Sequence, residues 1–349
     1  MSQYNGFIQQ NVALPEARRI GIYNKWGNRV GQIPLGTLTP PTLGKRLYSF
    51  GVLSDVHMFD PDNPTQGQDT TSPEDFKRAL EFFSECDEVE FICITGDLTQ
   101  NGSDLSQLEH YKEWVDTYSN KPVYAVAGNH DAYIGGSNLE RVISQYTGHP
   151  LYYSFEYGSD VFVMVGIRGN SEGNIFTDAE LTWLAETLDT YRDRRVFMFE
   201  HVRPQDGCGN ALGVYNFDIW GGEEATEFER LLNLYPNVIL FHGHSHLKFL
   251  LQERDKTANI GRDFAGWSVH VPSVSVPRGA SSAVNPTRIE LYAESEGYVV
   301  DVYENGIHLR GRDFKNGEFL PIASYWLDTT LQSIEAGTYV DSTNTIKTS

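Results

Sequence analysis

Residues 122–131 read PVYAVAGNHD, an apolar run that ends in glycine, asparagine, histidine and aspartate. Residues 123–127 have the length and composition of a buried β-strand, and Gly128 is typical of a tight turn. The next three residues carry amide, imidazole and carboxylate groups, which serve in proteins as metal ligands and as acids or bases. The sequence therefore predicts a strand that presents chemically active side chains at its carboxyl end.

The same pattern occurs at four other places along the chain. Apolar runs end at Asp55-Val56-His57, at Gly96-Asp97-Leu98-Thr99, just before His201, and at Gly243-His244-Ser245-His246. Helices are predicted between the runs, over residues 73–85, 104–119, 177–188 and 223–234. Strands that alternate with helices favour right-handed crossovers and a largely parallel sheet. In such sheets the ligand site lies beyond the carboxyl ends of the strands, where all of these motifs fall.

Further apolar segments predict antiparallel strands. They cover residues 152–156, 161–167, 267–276, 287–293, 297–303 and 306–310. The last two segments are joined by Glu304-Asn305-Gly306, which is typical of a hairpin turn. The predicted fold class is α/β, with two stacked mixed sheets and helices on their outer faces.

Composition limits the classes of function. The 349 residues are 40% apolar and 13% aromatic, which suits one packed globular unit. A net charge of −20 repels nucleic-acid backbones and anionic membranes, so neither is an expected partner. Three cysteines without CxxC spacing indicate neither a disulfide framework nor a thiolate metal site. Because no signal peptide or apolar span of about 18 residues is evident, we expect a cytoplasmic protein.

The first 45 residues differ in composition from the rest of the chain. They are polar, carry Pro34, Pro40 and Pro41, and contain a turn at residues 24–28 that predicts a β-hairpin. We predict a docking arm over residues 1–45, a catalytic domain over 46–320 and a partly mobile C-terminal extension over 321–349. The arm is the candidate surface for a homo-oligomer or a larger assembly.

The motifs supply enough donors for two divalent cations. Carboxylate, imidazole and amide donors suit hard or borderline metals, and they come from Asp55, His57, Asp97, Asn129, His201, His244 and His246. Asp97 follows a glycine and is the predicted bridge between two metals, the alternative being an N-cap of the next helix. Two metals about 3.5–4 Å apart can generate a nucleophilic hydroxide and stabilise an in-line displacement at phosphorus. The motifs therefore predict a hydrolase of phosphate esters.

The order of these motifs resembles that of the calcineurin-like metallophosphoesterase superfamily over residues 47–315. Residues 94–99, ITGDLT, and residues 122–131 resemble the branch that contains cyclic-nucleotide phosphodiesterases. The resemblance implies a four-layer α-β-β-α sandwich and a pair of divalent or mixed-valence metal ions, Mn, Fe or Zn. It also implies that a small phosphate ester is the substrate and that a phosphodiester is hydrolysed by a metal-bridging hydroxide.

The resemblance also implies a role for each motif residue. One metal would be bound by Asp55, His57, Asp97 and His246, and the other by Asp97, Asn129, His201 and His244. His130 would protonate the leaving oxygen, with Asp131 as the residue that orients it. The alternative for His130 is a hydrogen-bond donor that transfers no proton.

Two arginines are candidates for binding the phosphate. Arg168 and Arg203 each follow a predicted strand, and guanidinium groups match phosphate oxygens bidentately; the alternative for both is a surface salt bridge. Two other functions remain open. One is a phosphomonoesterase or protein phosphatase with the same ligands, and the other is a structural component, for example of a phage particle, that retains the fold.

Overall fold

A computed structural model describes most of the chain between residues 43 and 329 and short segments on either side. The described residues are 19–23, 29–34, 43–60, 72–135, 138–169, 175–202, 208–209, 223–249, 259–261, 263–280, 288–290, 293–329, 338–340 and 346–348.

The described elements alternate between strands and helices in the first two thirds of the chain. The strands are β1 (Arg19–Tyr23), β2 (Arg29–Pro34), β3 (Arg46–Leu53), β4 (Val89–Ile94), β5 (Val123–Ala125), β6 (Tyr152–Tyr157), β7 (Asp160–Val165), β8 (Val196–Phe199), β9 (Val238–His242), β10 (Ile260–Gly261), β11 (Trp267–His270), β12 (Arg278–Ala280), β13 (Arg288–Glu290), β14 (Glu296–Tyr303), β15 (Gly306–Asp313), β16 (Glu318–Asp328), β17 (Thr338–Val340) and β18 (Ile346–Thr348). The helices are α1 (Ser72–Glu85), α2 (Leu105–Tyr118), α3 (Leu139–Thr147), α4 (Asp178–Thr190) and α5 (Glu223–Leu234), with a short 3-10 helix at Asp131–Ile134.

Local sequence explains where the helices begin. Asp104 is the N-cap of α2 and accepts a hydrogen bond from the peptide N–H of Ser106. Thr177 and Glu180 form the capping box that their spacing predicts at the start of α4. Because Asp104 occupies the N-cap of α2, Asp97 does not serve there, which removes the alternative role of Asp97.

Two six-stranded sheets form the centre of the molecule. The first sheet has the order β16-β15-β14-β3-β4-β5, and the second has the order β10-β11-β9-β8-β7-β6. Strands β3, β4 and β5 are parallel to one another, and so are β7, β8, β9 and β11. The antiparallel strands are β14, β15 and β16 in the first sheet and β6 and β10 in the second sheet. Both sheets are therefore mixed, as the sequence predicts, and each has its parallel strands where a ligand site is expected.

The packing makes four layers. Phe50 and Tyr298 of the first sheet pack against Phe162, Phe199 and Phe241 of the second sheet in a fully buried core. On the outer face of the first sheet, α1 and α2 bury apolar side chains against β3 and β4. On the outer face of the second sheet, α4 and α5 do the same against β7, β8 and β9. The predicted α-β-β-α sandwich is confirmed.

Two predicted boundaries are wrong. The strand predicted over residues 267–276 ends at His270, because after one more bond to the last residue of β9 the chain turns away to the loop that follows β3. The N–H of Val271 donates to His242 O at 2.7 Å, and that of Val274 donates to Ser54 O at 2.9 Å. At the other boundary, β16 continues to Asp328, so residues 321–328 belong to the first sheet and not to a separate extension.

The ends of the chain contribute two small sheets of their own. β1 pairs antiparallel with β2, the hairpin predicted for the N-terminal arm, and β17 pairs antiparallel with β18. The predicted mobility of the C-terminus concerns mostly residues 330–337 and 341–345. These residues lie outside the described residues. Within the described residues, no helix has the length and apolar character needed to cross a bilayer.

Candidate metal centre

The predicted donors meet at the carboxyl ends of parallel strands from both sheets. Asp55 and His57 follow β3, Asp97 follows β4, Asn129 follows β5, His201 follows β8, and His244 and His246 follow β9. All are buried except His244, which is partly exposed. The structure thus brings together side chains that are up to 191 positions apart in the sequence, from Asp55 to His246.

The backbone is strained at five of these seven donors. Positive φ angles occur at Asp55 (53°), His57 (47°), Asp97 (50°), His244 (68°) and His246 (59°). Such angles cost a non-glycine residue about 1–3 kcal/mol and persist only where the surroundings enforce them. Part of the enforcement is a ladder between two loops, in which the N–H groups of Asp55 and His57 donate to Gly96 O and Asp97 O at 3.1 and 2.9 Å.

Two glycines make the close approach of the loops feasible. A Cβ atom at Gly128 would lie 2.2 Å from Oδ1 of Asp97, and one at Gly96 would lie 2.8 Å from Nδ1 of His201. Gly96 also has a φ of 108°, which side-chain-bearing residues rarely adopt. The glycines in the Gly-Asp and Gly-Asn-His-Asp motifs therefore serve the packing of neighbouring donors.

The first group of donors comprises Asp55, His57, Asp97 and His246. Nε2 of His246 lies 3.0 Å from Oδ1 of Asp55 and 2.9 Å from Nε2 of His57, which in turn lies 3.6 Å from Oδ2 of Asp97. Imidazole lone pairs and carboxylate oxygens therefore converge on one small space.

The second group comprises Asp97, His201 and His244, with Asn129 beside them. Nε2 of His201 lies 3.1 Å from Oδ2 of Asp97 and 3.2 Å from Nδ1 of His244. Oδ1 of Asn129 lies 2.8 Å from the same His244 nitrogen. Asp97 is common to both groups, and the ligand atoms within each group lie within 4.8 Å of one another.

These donors fit a divalent metal site. Oδ1 of Asp55 is buried without a hydrogen bond of good geometry, although the Nε2 atoms of His246, His201 and His57 lie 3.0, 3.8 and 3.9 Å away. A buried carboxylate oxygen surrounded by nitrogen atoms in this way is the environment that a cation would satisfy. Mixed oxygen and imidazole donors suit Mn, Fe or Zn.

The electrostatics keep most of the histidines ready to bind a cation. Burial lowers the pKa of His244 to about 3, and burial also lowers the pKa values of His57 and His246, so all three rings are neutral. Burial acts in the same direction on His201, but the charges and hydrogen bond of Asp97 and Asp55 outweigh it and raise the pKa of His201 to about 10. A metal ion at this position would therefore displace a proton from His201.

Backbone carbonyl groups orient two of the rings. Nδ1 of His201 lies 2.9 Å from Thr95 O, and Nδ1 of His246 lies 3.0 Å from Val276 O. Because a carbonyl can only accept, Nδ1 carries a hydrogen in both rings and Nε2 is the nitrogen that faces the centre, where His201 would offer a lone pair once a metal ion displaced its proton. No sequence motif pointed to Val276, which lies in the segment after β11.

A family model described as calcineurin-like phosphoesterase matches residues 48–248, more than half of the chain. The chain belongs to the calcineurin-like phosphoesterase family. The family resemblance inferred from the motifs is therefore confirmed, and the buried donor cluster fits a divalent metal site.

A curated protein and a solved structure are similar to this chain in different respects. A protein of Arcobacter nitrofigilis named "Probable glycerophosphodiester phosphodiesterase GpdQ" is 28% identical over 172 residues, which cover 45% of this chain and 56% of the relative. The chain thus spans little more than half the length of that curated relative. Purple acid phosphatase PPD1 from yellow lupin (Lupinus luteus) seeds has a similar fold, with a TM-score of 0.56 and 13% identity over 85% of this chain and 58% of that chain.

The contacts of Asp131 differ from those of its predicted role. Its carboxylate accepts hydrogen bonds from the N–H groups of Leu98, Thr99 and Gly128 and from the Thr99 hydroxyl, at 2.8–3.0 Å. Nδ1 of His130 instead lies 2.6 Å from Gln100 O. Both Asp131 oxygens are thus taken by the Asp97 loop and by Gly128, because the loops after β4 and β5 lie side by side. Asp131 holds the donor loops together and does not orient His130.

Arg168 lies in the salt bridge that was its alternative role. Its guanidinium group binds Glu140 and the buried carboxylate of Glu180, at 2.8 Å for the latter. Glu180 also caps α4, so Arg168 fastens a helix to the end of β7. Arg203, the other predicted phosphate-binding residue, lies outside the described residues.

A different arginine lies beside the donors. The N–H of Arg278 donates to His246 O at 2.7 Å, and Arg278 O accepts from the N–H of Lys248 at 3.1 Å. Its positive charge adds to burial in lowering the pKa of His246. Sequence reasoning missed Arg278 because it follows a segment, residues 271–277, that does not continue β11 as a strand.

Proposed function

We propose that this protein hydrolyses phosphodiesters with two bound divalent metal ions. The observation that carries the proposal is the sharing of Asp97 between two groups of converging donors. One ion would be held by Asp55, His57, Asp97 and His246, and the other by Asp97, Asn129, His201 and His244. Bound Mn, Fe or Zn ions supply Lewis acidity at phosphorus and lower the pKa of water.

His130 is the proposed acid for the leaving group. Its N–H donates to Oδ1 of Asp97 at 2.9 Å, which fixes the residue next to both donor groups. The Gln100 carbonyl accepts from Nδ1, so Nε2 is the ring atom through which a proton can pass to the leaving oxygen. The ring of His57 lies perpendicular to that of His130 with centroids 4.7 Å apart, which limits rotation of the imidazole.

Arg278 is the proposed partner for a phosphate oxygen. It combines a main-chain hydrogen bond to donor His246 with a charge that acts on the same imidazole. Guanidinium groups bind phosphate oxygens bidentately, which suits Arg278 to this proposed role. Arg168 has no part in the proposal, because two carboxylates already bind it.

Two observations support diesters over monoesters. The relative from Arcobacter nitrofigilis bears the name of a glycerophosphodiester phosphodiesterase. The net charge of −20 also opposes the approach of a monoester dianion more than that of a diester monoanion. The proposed substrate is therefore a small phosphodiester.

The decisive experiment compares two activated esters on metal-loaded protein. The kcat/KM values for bis(p-nitrophenyl) phosphate and p-nitrophenyl phosphate are measured in Mn²⁺, with metal content determined on the same samples. We expect a preference for the diester, and loss of both turnover and bound metal in Asp97→Ala. A tenfold preference for the monoester would favour the phosphatase alternative, and an Asp97→Ala protein with full metal content would contradict the bridging role.

A further inference from the structure

Ser245, the residue between donors His244 and His246, has a buried partner behind the turn. Its hydroxyl oxygen lies 2.8 Å from Nε2 of His270, at the end of β11, and both side chains are completely buried. Neither residue supplies a donor to the centre. The contact nevertheless reaches the turn that carries two histidine donors, one from each donor group.

The position of His270 is itself tightly fixed. Its N–H donates to Asn259 O at 2.7 Å, and in the register of β11 with β9 it lies opposite His242. Gly209 packs on the imidazole so closely that a Cβ atom there would lie 2.4 Å from Cδ2 of His270. The imidazole of His270 is therefore held in a fixed position against the Ser245 hydroxyl.

The turn that carries His244 and His246 needs such a fixed contact because its backbone is strained. His244 and His246 have φ angles of 68° and 59°, in the left-handed region that residues other than glycine rarely occupy. Strained conformations of this kind relax unless surrounding contacts hold them. Ser245 is the residue through which a single contact can hold both of its neighbours.

We propose that His270 is a positioning residue that sets, through Ser245, how both His244 and His246 face the divalent metal ions. His246 belongs to the first donor group and His244 to the second, so one contact behind the turn acts on both groups. The inference rests on the metal assignment within the proposed function and is independent of which ester is cleaved. Loss of the contact weakens metal binding in both groups together.

Metal affinity tests the proposal without any measurement of catalysis. Metal-free wild type, Ser245→Ala, His270→Phe and the double variant are titrated with Mn²⁺ by calorimetry. We expect each single variant to bind Mn²⁺ at least tenfold more weakly in both donor groups. The double variant should be no weaker than the worse single variant, because both changes remove the same contact.

The chain offers a matched control. His308 and Ser324 form another buried histidine–serine pair, also 2.8 Å apart, between β15 and β16. His308→Phe should leave Mn²⁺ affinity unchanged, and an equal loss there would reduce the effect of His270 to general destabilisation and overturn the proposal. Unchanged affinity in Ser245→Ala, which removes only a hydroxyl, would also overturn it. Absence of Mn²⁺ binding by the wild type would instead contradict the proposed function.

Discussion

At the scale of single residues, His130 contacts donor Asp97 through its main-chain N–H, which leaves its ring for the proton transfer that we propose. Replacement by glutamine removes the acid but keeps the N–H that donates to Asp97 at 2.9 Å. His130→Gln should therefore retain bound metal and lose about 10²–10⁴-fold in rate with esters of poor leaving groups. The loss should be smaller with nitrophenyl esters, whose leaving groups need little protonation.

Two measurements decide between proton transfer and positioning. Rates for both substrate types are compared with metal content on the same His130→Gln preparation. An equal loss for good and poor leaving groups would indicate that His130 positions the substrate and transfers no proton.

Glu296, on β14, has a buried carboxyl group whose protonation affects the stability of the fold. Burial raises the pKa of Glu296 to about 8 from a usual value of 4.5, and its Oε2 accepts a hydrogen bond from the N–H of Phe249 at 2.8 Å. Between those pH values the folded protein keeps a proton that the unfolded chain has lost. The free energy of unfolding should therefore fall as pH rises from 4.5 to about 8, and this contribution should be constant above that pH.

Glu296→Gln should remove this dependence, because glutamine keeps an oxygen for Phe249 and cannot ionise. At pH 8 the variant should be more stable than the wild type by an amount on the order of a few kcal/mol, since one pKa unit is worth about 1.4 kcal/mol. Urea unfolding from pH 5 to pH 8 tests this. Glu294→Gln is the control, because that carboxylate is partly exposed and bound to Lys248 at 2.9 Å. Parallel pH profiles of Glu296→Gln and the wild type would contradict the assignment.

At the scale of elements, Arg195 fastens the two sheets together at the end away from the metal centre. Its guanidinium group makes two hydrogen bonds to Asp160 at the start of β7, at 3.0 and 2.8 Å. It also donates to Tyr303 O at the end of β14 at 2.9 Å, while the Tyr48 hydroxyl of β3 donates to Asp160 at 2.7 Å. Both charged groups are buried and have lost their hydration. The hydrogen bonds around them compensate for that loss.

Arg195→Met should destabilise the fold by about 3–5 kcal/mol, because Asp160 would be left buried without its cation. Arg194→Met is the matched control at the next position. Its salt bridge with Glu156 is partly exposed, at 29% and 53% for the two side chains, so the change should cost about 0–1 kcal/mol. Guanidinium unfolding measures both variants. Similar midpoints for the two would show that the buried pair does not hold the sheets together.

The elements also show which features of the fold and the site could be predicted from the sequence alone. Apolar runs ending in Asp55, Asp97, Asn129, His201 and His244 predicted the parallel strands and the donors, because such runs are local signals. The contacts of His270 and Arg278 were not predictable, since they depend on how the segment after β11 returns to the β9 turn. Asp131 was misread for the same reason: its partners Leu98 and Thr99 belong to a neighbouring loop about 30 residues earlier in the chain.

At the scale of the whole molecule, the net negative charge of the protein opposes the approach of the proposed anionic substrate. A net charge of −20 keeps anions away from most of the surface, while the proposed metal ions and Arg278 concentrate positive charge at the ends of the parallel strands. An anionic ester would therefore be attracted only near the site. This arrangement favours small substrates over polyanions such as nucleic acids.

The N-terminal arm, residues 1–45, is the part of the molecule for which we propose a role in assembly. β1 and β2 form a two-stranded sheet of their own, and an isolated hairpin is at best marginally stable in water. A partner surface would stabilise it, which supports the proposal that residues 1–45 dock on a neighbouring chain and lie outside the metal centre. Deletion of residues 1–40 should then lower the mass measured by light scattering, while kcat/KM per metal-loaded chain stays near that of the full chain. Deletion of residues 335–349 is the control for shortening a terminus. If the mass stayed constant and catalysis were lost, the arm would have to contribute to the active site, because the donors themselves all follow β3.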